Sequence, residues 1–91
     1  MVGGRCENAG DVLYRLGYYP KAAETLEAGL RLDPTHAPGF FVLGNCYFRT
    51  NDPAAACAAY EAALARCPDY PDALSNLRLA RQALAGSQQA A

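Results

Sequence analysis

The stretch Phe40-Phe41-Val42-Leu43-Gly44-Asn45-Cys46-Tyr47, with Ala56, Tyr60, Ala63 and Pro68 downstream of it, decides how the whole 91-residue chain is read. Phe40, Leu43 and Tyr47 recur at intervals of three and four residues, so they share one face of a helix. Ala56, Tyr60 and Ala63 repeat that spacing on a second segment. Gly44 and Ala56 are small where two antiparallel helices must approach closely, while Phe40, Leu43, Tyr47 and Tyr60 fill the wedge between them.

Working outward, a shift of 34 residues aligns Gly10 with Gly44, Ala22 with Ala56, Leu30 with Leu64 and Pro34 with Pro68. Leu13 and Leu16, then Leu26, Leu30 and Leu32, give the first copy the same helical periodicity. Each copy therefore reads as one helical hairpin. The punctuation agrees. Gly17 ends the first helix, Pro20 sits in the opening turn of the second, and Asp33-Pro34 stops it. Asp52-Pro53 is an N-cap followed by proline at the first helical position, where its missing N–H costs nothing. The expected helices span 5–16, 19–32, 37–50, 53–66 and 71–85.

The second copy, Phe40-x-x-Leu43-Gly44-x-x-Tyr47 followed by Ala56-x-x-x-Tyr60, Ala63 and Pro68, resembles the tetratricopeptide repeat in almost every signature place. In the first copy Gly10, Gly17, Ala22 and Pro34 fit. Cys6 stands where the first aromatic would be, Leu13 replaces the tyrosine, Leu26 the second aromatic and Gly29 the small residue. The segment from Pro71 begins like a third repeat and keeps Leu77, but it has Arg78 and Arg81 at the glycine and tyrosine places. Charge at sites that would pack against a following helix marks a solvated face, as a capping helix requires. The resemblance implies an all-α fold, a right-handed α-solenoid of two helical hairpins plus a C-terminal capping helix. The expected organisation is an N-terminal flank (1–4), repeat 1 (5–36), repeat 2 (37–70), a capping helix (71–85) and a disordered tail (86–91).

Composition excludes several function classes. Eight basic and nine acidic residues leave a net charge of −1 with no run of either sign, so neither nucleic acid nor a membrane surface is an expected partner. Met1-Val2-Gly3-Gly4-Arg5 lacks a signal peptide's apolar core, and no apolar run approaches the roughly 18 residues of a spanning helix. A cytoplasmic location is expected. Cys6, Cys46, Cys57 and Cys67 form no CxxC pair and read as free thiols: Cys6 and Cys46 in the core, Cys57 on a helix surface, Cys67 at a helix end. His36 is the single histidine, in a loop and without ligand spacing around it, so no metal and no cofactor are expected. With no phosphate-cradling glycine loop and no nucleophile beside a base, the chain does not read as an enzyme.

The resemblance implies instead a protein–protein interaction module that binds a partner peptide or helix on a concave face, lined by the first helix of each repeat. Projected onto this sequence, that face carries Glu7, Asp11, Tyr14 and Arg15, then Phe41, Asn45, Phe48 and Arg49, then Asp72, Ser75 and Leu79. Phe41 and Phe48, seven residues apart on one helical face, form with Leu79 a candidate apolar strip. Asn45 is a candidate for amide contacts to an extended backbone. Some family members hold a partner's C-terminal carboxylate through lysine, asparagine and arginine. Here Glu7 and Asp11 stand at the matching first-repeat places and would repel it. The expected partner therefore offers basic or amide groups near those acids and an apolar anchor near Phe41. The alternative is a structural assembly module, homo-oligomeric or part of a larger complex, using Leu74, Leu77 and Leu84 on the cap.

Overall fold

The computed structural model describes residues 9–89, with side chains from 10 to 86. Five helices follow one another: α1 (Ala9–Leu16), α2 (Tyr19–Leu32), α3 (Ala37–Arg49), α4 (Pro53–Arg66) and α5 (Pro71–Gln89). Each packs against the next, and α1 also touches α3, so the odd-numbered helices form one layer and the even-numbered ones another. Among the described residues there is no strand. Positions 5–8 of the first expected helix, with Cys6 and Glu7, lie outside the described residues.

The 34-residue period is a backbone fact. At the end of α1 the Tyr18 N–H donates to the Leu13 carbonyl at 2.9 Å and the Gly17 N–H to Tyr14 at 3.0 Å. At the end of α3 the same pair recurs, Asp52 to Tyr47 at 2.9 Å and Asn51 to Phe48 at 3.2 Å. Both are Schellman turns, which require a left-handed residue at their centre. Gly17 supplies it at φ 93° and Asn51 at φ 64°. Asparagine enters this region more readily than other side chains, which lets the turn survive the loss of glycine. The second turns match as well: Asp33 ends α2 at φ −139°, ψ 86°, and Cys67 ends α4 at φ −140°, ψ 88°. Asp52 caps α4 as expected, its carboxylate accepting from the Ala55 N–H at 3.3 Å.

Two apolar clusters result. Ala22, Ala23, Leu26, Leu30, Leu43, Cys46 and Ala59 join α2 to α3 and α4. Ala56, Cys57, Tyr60, Leu77 and Ala80 join α4 to α5. Gly44 lets α3 pack closely on α4, since a Cβ there would sit 2.6 Å from Cε1 of Tyr60.

Three expectations need correction. Cys57, expected on a helix surface, is 8% exposed, because α4 lies between α3 and α5 and buries two flanks rather than one. Leu77 is buried and Leu84 packs against the same cluster, so these cap leucines are spent inside the fold, and only Leu74 of the three expected there is exposed. The chain expected to be disordered from 86 is helical through Gln89. No proline follows Gly86, and alanine and glutamine are good helix formers, so α5 carries on past the last core contact.

Candidate functional site

Tyr14 on α1, Asn45, Phe48 and Arg49 on α3, and Asn76 on α5 line one groove of about 500 Å³. It runs across the odd-numbered layer. The helical period explains the assembly: Asn45, Phe48 and Arg49 lie three and four residues apart and so share one flank of α3.

The floor is a hydrogen-bonded network. The Tyr60 hydroxyl, fully buried, donates to Oδ1 of Asn45. Nδ2 of Asn76 donates to the same oxygen at 3.0 Å. One carbonyl oxygen thus ties α3 to α4 and α5. Asn45, the candidate for amide contacts to an extended backbone, has its acceptor satisfied internally, and its Nδ2 makes no hydrogen bond among the described residues. No buried side-chain nitrogen or oxygen among the described residues is left without a partner, so that nitrogen is open to solvent. Burial pushes the Tyr60 hydroxyl up to about 12, which keeps it a neutral donor.

Arg49 forms the far wall. Its guanidinium lies 5.9 Å from the centroid of the Tyr19 ring and is in hydrogen-bond contact with the Tyr14 side chain, which holds its pKa above the usual arginine value. The Tyr14 and Tyr19 rings pack at 5.3 Å, tilted by 56°, so α1 and α2 brace the cation together. Arg15, at the equivalent place one repeat earlier, lies instead 4.0 Å from Asp11 on its own helix. The two arginines therefore face different partners.

The remaining candidates are divided between core and surface. Phe41 does not line the groove: it packs on Tyr60 at 5.9 Å and Tyr70 at 5.2 Å, within the α4–α5 cluster. Phe48 does line it and is 39% exposed, an unusual place for a phenylalanine in a small helical fold. Leu79, Asp72 and Ser75 are exposed on α5 and stand outside the groove walls. Glu7 lies outside the described residues. Sequence reasoning missed Asn76 and Tyr19. Asn76 carried a signal, being a polar residue inside the Ala73, Leu77, Ala80 stripe, where burial demands a hydrogen-bond partner.

A family model described as tetratricopeptide repeat matches residues 8–71. The chain belongs to the tetratricopeptide repeat family. No curated protein matches it. The two hairpins and consecutive packing are those of an α-solenoid. Tetratricopeptide repeats generally mediate protein–protein interaction and are typically non-catalytic. Among the described residues no helix is long and apolar enough to cross a membrane.

Proposed function

We propose that this tetratricopeptide module is an adaptor that holds an extended segment of a partner protein in the groove between Tyr14, Asn45, Phe48, Arg49 and Asn76. The observation that carries this reading is the way the floor network leaves its unused groups. Asn45 Oδ1 is doubly occupied, so Nδ2 remains as a donor, and Asn76, having given its Nδ2, retains Oδ1 as an acceptor. A donor and an acceptor on adjacent amides match the N–H and C=O of a peptide backbone, which an extended segment leaves unpaired. Phe48 beside them offers apolar contact to one side chain. The internal bonds that lock both amides reduce the ordering cost of binding. Self-association through α5 has less support, since Leu77 and Leu84 are turned inward.

The test is selection of peptides from a displayed random library on immobilised protein, followed by titration of an enriched peptide into wild type and a Phe48→Glu variant. The reading expects enrichment, with binding lost in a variant that still melts like wild type. Failure to enrich any peptide, or equal binding by both proteins, contradicts it.

A further inference from the structure

We infer that a second groove, between α2 and the turn from α3 to α4, seats an arginine side chain of a partner protein, laid against Tyr47 and paired with Glu27 and Glu24. This goes beyond the reading above and does not depend on it, since the two grooves share no lining residue.

The groove has a volume of about 300 Å³. Pro20 and Ala23 of α2 and Tyr47 of α3 give it apolar walls, and Glu24, Glu27 and Asp52 bring carboxylates, with no basic residue among its lining side chains. Pro20, Ala23, Glu24 and Glu27 fall on one flank of α2 by the helical period. Asp52 accepts from the Ala55 N–H as the cap of α4 and keeps its charge. Glu24 and Glu27 pair with no cation among the described residues, Lys21 one turn earlier included. Apolar walls beside unpaired carboxylates complement a long side chain with an apolar stem and a cationic head.

The molecule already holds such a pair one repeat further on. The 34-residue shift carries Glu27 to Glu61 and Tyr47 to Arg81. α5 packs on α4 in the register in which α3 packs on α2, for Leu43 and Leu77, Cys46 and Ala80, and Ala23 and Cys57 are buried alike at that shift. In the α4–α5 pair Nη2 of Arg81 meets Oε2 of Glu61 at 3.0 Å. In the α2–α3 pair a tyrosine stands where the cation would be, and Glu27 is left without one. A guanidinium supplied from outside restores the arrangement and gains a ring to lie against. Arginine fits better than lysine, because its planar fork both stacks on an aromatic face and meets carboxylate oxygens at two points.

The probe is an acetylated, C-terminally amidated Gly-Arg-Gly peptide, with citrulline or lysine replacing the arginine as comparators, titrated into the isotopically labelled chain. Saturable shifts are expected at the backbone amides of Ala23, Glu24, Glu27 and Tyr47. The dissociation constant should be on the order of 1–10 mM, as for one exposed pair that anchors part of a larger contact. Selection does not enrich so weak a ligand, so the peptide library above and this titration report on separate sites. Citrulline keeps the shape of arginine without its charge and should bind about tenfold more weakly, with lysine between the two. Raising the salt should narrow the gap between arginine and citrulline. Glu27→Gln should remove most of that gap in a protein that melts like wild type, while Glu61→Gln and Phe48→Glu should leave it unchanged. Equal binding of the arginine and citrulline peptides, shifts that never saturate, or an arginine preference untouched by Glu27→Gln would each overturn the proposal. The same shifts appearing without peptide as the protein is concentrated would assign the groove to an arginine of a second copy, and would overturn it as well.

Discussion

Nδ2 of Asn76 on α5 lies 3.0 Å from Oδ1 of Asn45 on α3, and that same oxygen accepts the buried Tyr60 hydroxyl from α4. Three helices, two from the second repeat and one from the cap, are joined at one atom. The same bonds orient the two amides that face the groove, so stability and the candidate binding surface share residues.

The two ends of this network should not be equivalent. Asn45→Ala leaves the Tyr60 hydroxyl buried without its acceptor, at about 1–3 kcal/mol, whereas Tyr60→Phe leaves Asn45 still bonded to Asn76, at about 0.5–1.5 kcal/mol. In a domain this small each kcal/mol lowers Tm by roughly 4–8 °C. Thermal melts should therefore rank Asn45→Ala as the more damaging change.

Two glycines should respond to alanine in opposite directions. At Gly44 a Cβ would lie 2.6 and 2.7 Å from the Tyr60 ring, and the ring is held in the core, so overpacking of about 1–3 kcal/mol outweighs the gain in helix propensity. At Gly29, inside α2, nothing lies within 4 Å of the added carbon, and the change should stabilise by about 0.5–1 kcal/mol. Urea unfolding of both variants checks the pair.

Stability should fall at alkaline pH in two overlapping steps. Burial raises the Cys46 thiol from 9.0 to about 11 and the Tyr60 hydroxyl from 10.0 to about 12. Each folded value lies above the unfolded one, so the unfolded chain gives up its protons first. The stabilisation is complete below pH 9 and is lost across 9–11 for Cys46 and 10–12 for Tyr60. Chemical unfolding at pH 8 and pH 11 should differ, and Tyr60→Phe should reduce the loss above pH 10.

Arginines that look alike in sequence should differ in effect. Arg66 donates from Nε to the Pro34 carbonyl and stacks 4.5 Å from the Phe40 ring centroid, pinning the loop between the repeats to α4. Arg81 meets Glu61 at 3.0 Å, but both side chains are more than half exposed, where an ion pair contributes little. Arg66→Ala should cost about 1 kcal/mol or more, while Arg81→Ala should leave the melting curve almost unmoved.

The fold was legible because the repeat writes its geometry in residue size and spacing. Gly44 opposite Tyr60, and Asp52-Pro53 at the start of α4, mean the same thing in sequence and in space. The turn at Asn51 could have been read from Gly17, 34 residues earlier, had asparagine's tolerance of positive φ been applied. The site was harder to read. Periodicity puts Phe41 and Phe48 on one face of α3, but only the placement of Tyr70 and α5 decides that Phe41 is covered and Phe48 is not. Asn45 shows the same limit, since its partners lie 15 and 31 residues away and no local pattern links them. Cys57 was misplaced because a helix sandwiched between two others is apolar over a wider arc than one face.

Amide chemical-shift mapping tests the central claim most directly. A library-selected peptide titrated into isotopically labelled protein should perturb the backbone signals of Tyr14, Phe48 and Arg49 and the side-chain amide signals of Asn45 and Asn76. Saturable shifts confined to the opposite layer, around Glu24, Glu27 and Glu61, would contradict the account.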